Sequence, residues 1–134
     1  NFRYNQVTTL VNRLAKVAQS YKKPITAAVF PTPEVARRIV RQDWTNWNLD
    51  AVCPMIYHGF YKEDVAWIGD AVGEGIRWIN GKFPLYAGLF LPDFKSNEEI
   101  KAGIGYALKN GASGVSLFGN VDEGVLEVLR EVGR

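Results

Sequence analysis

The stretch Trp44-Thr45-Asn46-Trp47-Asn48-Leu49-Asp50-Ala51-Val52-Cys53-Pro54-Met55-Ile56-Tyr57-His58 joins two tryptophans to an apolar run that closes on a tyrosine and the chain's one histidine. From Leu49 to Tyr57 the run is too short for a typical helix and reads as a strand. Successive strand side chains point to opposite faces. One face then carries Val52, Pro54 and Ile56, and the other Cys53, Met55 and Tyr57. A strand apolar on both faces belongs to a parallel sheet covered by helices.

The same unit recurs on either side of this run. Upstream, Val7, Leu10, Val11, Leu14, Val17, Ala18 and Tyr21 fall at three- and four-residue spacing and predict an amphipathic helix. Lys22-Lys23-Pro24 ends it. Ile25 to Phe30 predicts a strand between two prolines, and Thr32-Pro33-Glu34 starts a helix that reaches about Asp43. Downstream, helices are expected from about Lys62 to Ile79, from Asn97 to Lys109 and after Asp122. Strands are expected at Pro84–Phe90 and Gly114–Phe118. Successive strands start roughly 25 to 35 residues apart, the size of one βα module. The chain thus reads as a leading helix followed by four βα units, one domain over 1–134 with no linker.

Four such units fit an open doubly wound sheet or half of an eight-stranded barrel. Sorting alternate residues favours the second. One face holds Ile25, Ala27, Val29, Val52, Pro54, Ile56, Leu85, Ala87, Leu89, Val115 and Leu117, all apolar and suited to helices. The opposite face mixes Thr26, Ala28, Cys53, Met55, Tyr86, Gly88, Gly114 and Ser116, and each strand ends in an aromatic ring: Phe30, Tyr57, Phe90 and Phe118. That asymmetry suits the lumen of a barrel, so the fold expected is α/β, half of a (β/α)8 TIM barrel.

Composition narrows the function. A net charge of +2 gives no reason to expect nucleic acid. No apolar stretch approaches the roughly 20 residues of a membrane span, so no membrane insertion is expected. Cys53 is the only cysteine, which excludes an internal disulfide and a zinc cluster, and no metal or cofactor is expected. The chain opens on Asn1-Phe2-Arg3 rather than methionine, which hints at a fragment.

The order and spacing of Phe2-Arg3, Lys23-Pro24, Val29-Phe30-Pro31, Gln42-Asp43-Trp44, Trp47, Asp50, Pro54-Met55, Tyr57, Gly88-Leu89 and Gly111-Ala112-Ser113-Gly114-Val115-Ser116-Leu117-Phe118 resemble a glycosyl-hydrolase-like TIM-barrel family of bacterial secreted proteins and lipoproteins. The segment Asp50-x-Val52-x-Pro54-Met55-x-Tyr57 is its most specific part. The resemblance spans the chain but only the second half of the family's barrel, equivalent to its strands five to eight. It implies a carbohydrate-active protein, an oligo- or polysaccharide ligand and an extracytoplasmic setting.

Position along the strands sorts the candidates. Trp44 and Trp47 precede a strand and belong to the barrel floor, whereas barrel ligands bind at the strand carboxyl ends. There stand Phe30, Met55, Tyr57, Phe90 and Phe118 as stacking and lining groups, with His58 and Asp93 as polar ones. Glycoside hydrolysis needs two carboxylates flanking the scissile bond. None lies within the last two residues of a strand; Glu34, Glu63, Asp64, Asp93 and Asp122 are in loops or first helical turns, and only Asp93 is a weak catalytic candidate. The expectation is therefore one wall of a sugar cleft, not catalytic alone. Two alternatives remain open. Gly88 and Gly119-Asn120 could cradle a phosphate in a metabolic isomerase or lyase half-barrel, or the chain could be an inert carbohydrate-binding or structural fragment. Open strand edges predict a homodimer or attachment to the remainder of a longer chain.

Overall fold

The computed structural model describes residues 2–134, and Asn1 lies outside the described residues. Five helices and four strands alternate: α1 (Phe2–Ser20), β1 (Thr26–Val29), α2 (Pro33–Val40), β2 (Ala51–Pro54), α3 (Trp67–Ile79), β3 (Tyr86–Phe90), α4 (Asn97–Lys109), β4 (Gly114–Phe118) and α5 (Glu123–Val132). β1 pairs with β2 and β3 with β4, both in parallel. Two parallel bridges, Val52 to Leu85 and Met55 to Gly88, join the pairs. The spatial order is therefore β1-β2-β3-β4, each strand beside its successor in sequence.

Burial follows the pleat. Val29, Val52, Ile56, Leu85, Ala87 and Leu89 are buried against α2, α3 and α4, whose inward residues include Ala36, Ile68, Val72, Ile100 and Ile104. On the opposite face Thr26, Ala28, Tyr86 and Ser116 are exposed. The helices cover one face of the sheet and leave the other bare, the asymmetry expected from the sequence.

Element ends differ from the sequence reading, each for a local reason. β2 is shorter than Leu49–Tyr57 because Pro54 has no N–H to continue a ladder. Met55 N still donates to Val29 O at 2.8 Å, so the chain keeps its direction for one more residue. α2 stops at Val40, where Arg41 turns left-handed, instead of reaching Asp43. Gln42 then reaches back, and its Oε1 accepts from Phe30 N at 2.9 Å, fixing the end of β1. α3 begins at Trp67 rather than Lys62, because the chain first makes turns through Tyr57–Lys62 and Asp64 Oδ1 accepts from Trp67 N at 3.0 Å.

The two tryptophans are scaffold. Trp44 opens a single 3-10 turn and is fully buried; Trp47 closes it, 5% exposed. Trp47 Nε1 donates to Thr8 Oγ1 at 3.2 Å and Asn48 N to Asn12 Oδ1 at 2.8 Å, which ties α1 to the floor of the sheet. α1 departs most from expectation. Val7, Val11 and Ala15 face the core, but Leu10, Leu14, Val17 and Tyr21 of the predicted stripe are each more than half exposed.

Truncating Trp47 removes a large buried ring and its bond to α1. Trp47→Ala is expected to lose about 3–5 kcal/mol of stability in urea unfolding, with Trp47→Phe retaining most of it. A Trp47→Ala variant as stable as the parent would remove the ring from the floor.

Candidate functional site

Three of the four strand-end aromatics converge. Tyr57, just past β2, lies with its ring centroid 5.4 Å from Phe90 and 6.4 Å from Phe118. Phe90 and Phe118, the last residues of β3 and β4, are 5.7 Å apart. Pleat parity explains the meeting, since all three project from the bare face at one end of three adjacent strands. Phe118 is 63% exposed and Tyr57 and Phe90 half-buried, so the rings form an apolar surface open to a ligand. Burial among the rings raises the Tyr57 phenol above its ordinary value and keeps it neutral, as an O–H donor, throughout the physiological range.

The other expected residues separate from this trio. Phe30 is half-buried and packs against the core under β1. Met55 and Cys53 are half-buried on the bare face along β2, and burial pushes the Cys53 thiol up, away from nucleophilic thiolate. His58 is only 4% exposed, stands edge-on to Phe94 at 4.7 Å, and its Nδ1 is buried without a hydrogen-bond partner among the described residues. The turn after Tyr57 sends it away from the rings, so it does not share a surface with them. Asp93 is half-buried and accepts from Gly59 N at 3.0 Å through Oδ2, which fixes the turn after Tyr57.

His58 and Asp93 instead line a cleft of about 220 Å³ with Glu63, Asp64, Lys95 and Glu99. Lys95 and Glu99 went unread in the sequence, although Ser96-x-x-Glu99 has the spacing of a capping box. Ser96 Oγ accepts from Glu99 N at 3.2 Å, and Glu99 Oε2 accepts from Lys95 N at 2.7 Å. A second cleft, about 320 Å³, runs between the loops after β3 and β4 and is lined by Lys95, Ser96, Asn97, Asn120 and Asp122. This is where barrels place a phosphate. Here the helix starts are filled by the chain's own acids: Asp122 Oδ1 accepts from Val125 N at 3.0 Å, Glu123 follows it, and Glu98 and Glu99 sit in the first turn of α4. Such charges repel a phosphate. No group of three or more His, Cys, Asp or Glu among the described residues could hold a metal ion. No helix among them is long and apolar enough to cross a membrane.

Among solved structures, the chain is similar to dihydrodipicolinate synthase from Bacillus clausii, with 16% identity and a TM-score of 0.52. The match covers 87% of this chain and 42% of that one, so the chain spans less than half of the neighbour's length. No family model matches the sequence. No curated protein matches it either. The likeness is one of mixed α/β fold with short parallel strands. It overturns the resemblance drawn from the sequence motifs, because the neighbour is a TIM-barrel enzyme of an aldolase family and not a glycoside hydrolase. The reading as a carbohydrate-active hydrolase is withdrawn with it, and the secreted setting inferred from that family loses its support.

The ring environment of Tyr57 can be read optically. Tyr57 and Tyr61 are both raised by burial, so two of the six tyrosines should ionise late in an alkaline absorbance titration, and Tyr57→Phe should remove one of them. A phenol bound more tightly to its proton in the folded state stabilises the fold below its ordinary value. That contribution is lost as pH rises through the raised one, so the Tyr57→Phe variant should lose less stability than the parent over that alkaline window.

Proposed function

We propose that this chain forms half of a (β/α)8 barrel and contributes the strand carboxyl ends of a small-molecule site in a metabolic enzyme of the lyase or isomerase kind. The observation that carries the reading is the sheet: four parallel strands in sequential order, helices on one face only, and the other face bare. A doubly wound sheet would cover both faces and reverse its strand order part-way. The likeness to a metabolic lyase built on a TIM barrel supports it. Four further strands would close the barrel, from a second copy or from the remainder of a longer polypeptide.

The chemistry at hand points the same way. Glu99 and Asp122 sit in helix-start caps, and Asp93 holds Gly59 N, so no pair of free carboxylates flanks the ring surface. Tyr57 offers a neutral O–H at the strand end, beside an apolar wall. Such a donor stabilises the oxyanion that develops on a carbonyl when a bond next to it is made or broken. The substrate class proposed is a small carbonyl compound whose apolar part lies on Phe90 and Phe118, with Met55 along the same face.

Thermal-shift screening of oxo acids, hydroxy ketones, sugar phosphates and oligosaccharides would test this. The carbonyl compounds are expected to raise the melting temperature. Tyr57→Phe should keep the fold and weaken that binding by about 1–3 kcal/mol, the cost of a lost polar partner. A response to oligosaccharides alone, or carbonyl binding indifferent to Tyr57→Phe, would sink the assignment.

A further inference from the structure

The exposed flank of α1 has a pattern that the core does not explain. On a helix at 100° per residue, Leu10, Leu14, Val17 and Tyr21 form a stripe beside Val7, Val11 and Ala15 rather than opposite them. The inner residues face the core, and Thr8 and Asn12 bond the floor through Trp47 and Asn48. The stripe therefore lies on the flank turned away from the rest of the molecule. Two open grooves of about 370 and 450 Å³ lie along α1 at the edge of this stripe and meet at Arg13, the first reaching Leu10 and the second Lys16 and Val17. The charge there has one sign: Glu34 is the first acidic residue in the sequence, after Arg3, Arg13, Lys16, Lys22 and Lys23.

We infer that this flank docks an amphipathic helix of a completing unit, with an apolar stripe for Leu10, Leu14 and Val17 and a margin of carboxylates for Arg13 and Lys16. The inference rests on the half-barrel reading, which places the next helix of an outer ring on this side of α1. Side-by-side helices in such a ring bury a shared apolar seam, and opposite charges along its margin fix the partner. A second copy fits the position poorly. Two copies would bring ten helices to eight strands, with α5 of one and α1 of the other over the same seam. Two of the three glutamates of α5 are also engaged within the chain, Glu123 with Arg130 at 3.1 Å and Glu131 with Lys101 at 2.7 Å.

The test uses two labelled synthetic helical peptides with the same leucine stripe, one flanked by glutamates and one by lysines, titrated against the folded chain by fluorescence anisotropy. The glutamate peptide is expected to bind at least tenfold more tightly than the lysine peptide, to weaken as salt is added, and to lose at least tenfold in affinity with Leu14→Ser. Leu14 is exposed, so that variant keeps the fold, which circular dichroism checks. Equal binding of both peptides, binding of neither, or indifference to Leu14→Ser overturns the proposal. So does light scattering that shows a dimer abolished by Leu14→Ser, which assigns the flank to a second copy. Leu14-dependent binding to phosphatidylserine vesicles in place of the glutamate peptide assigns it to a membrane surface and also overturns it. The carbonyl screen reads the strand ends instead, so failure here with a retained carbonyl response removes the docking surface alone.

Discussion

The structure depends on how closely β3 can approach β2. Val52 N to Pro84 O at 3.1 Å and Ile56 N to Gly88 O at 2.9 Å are among the hydrogen bonds that join the two-stranded ladders. Between them Pro54 can donate nothing, so there is little ladder to spare. A Cβ at position 88 would stand 2.6 Å from Pro54 O and 3.4 Å from Met55 Cα, both backbone atoms that cannot swing aside. Glycine is what that contact allows. The buried residues Val52, Leu85 and Leu89 bridge the same junction beneath, so packing reinforces the seam. The aromatic trio depends on it as well, because Tyr57 comes from the β2 side and Phe90 and Phe118 from the other.

The sequence was legible where a rule is local and parity-bound. Alternation assigned the faces of β3 correctly from Leu85 to Phe90 without any knowledge of neighbours, because a pleat admits only two directions. It was less legible where geometry leaves the pleat. The alternation alone does not say that Arg41 turns left-handed or that turns through Tyr57–Lys62 precede Trp67. His58 shows the consequence for a site: one residue past Tyr57, its direction is set by that turn, and it lands against Phe94 instead of the rings. The helix stripe of α1 failed differently. A 3.6-residue period identifies an apolar face but not which part of a wide one meets the core.

The family resemblance misled for a reason visible in its own motifs. Val29-Phe30-Pro31, Pro54-Met55 and Gly114-Val115 are residues of the strands and of their ends, suited to parallel packing against helices. Such patterns report architecture, which many chemistries share. The residues that would have reported hydrolysis were paired carboxylates at strand ends, and the sequence had none there.

What distinguishes the strand ends, once the fold is drawn, is the division between polar groups that hold the scaffold and polar groups left to act. Asp93, Asp64, Glu99 and Asp122 each accept from a backbone N–H at 2.7 to 3.0 Å. Each therefore spends an oxygen on ending a turn or starting a helix. Tyr57 is the reverse case. Its neighbours are rings, burial holds it protonated, and its place is the end of a strand at the heart of the sheet. A group held neutral beside an apolar wall stabilises charge that appears on a ligand during reaction. The same face that lacks the machinery of acid-assisted hydrolysis therefore keeps a donor suited to carbonyl chemistry.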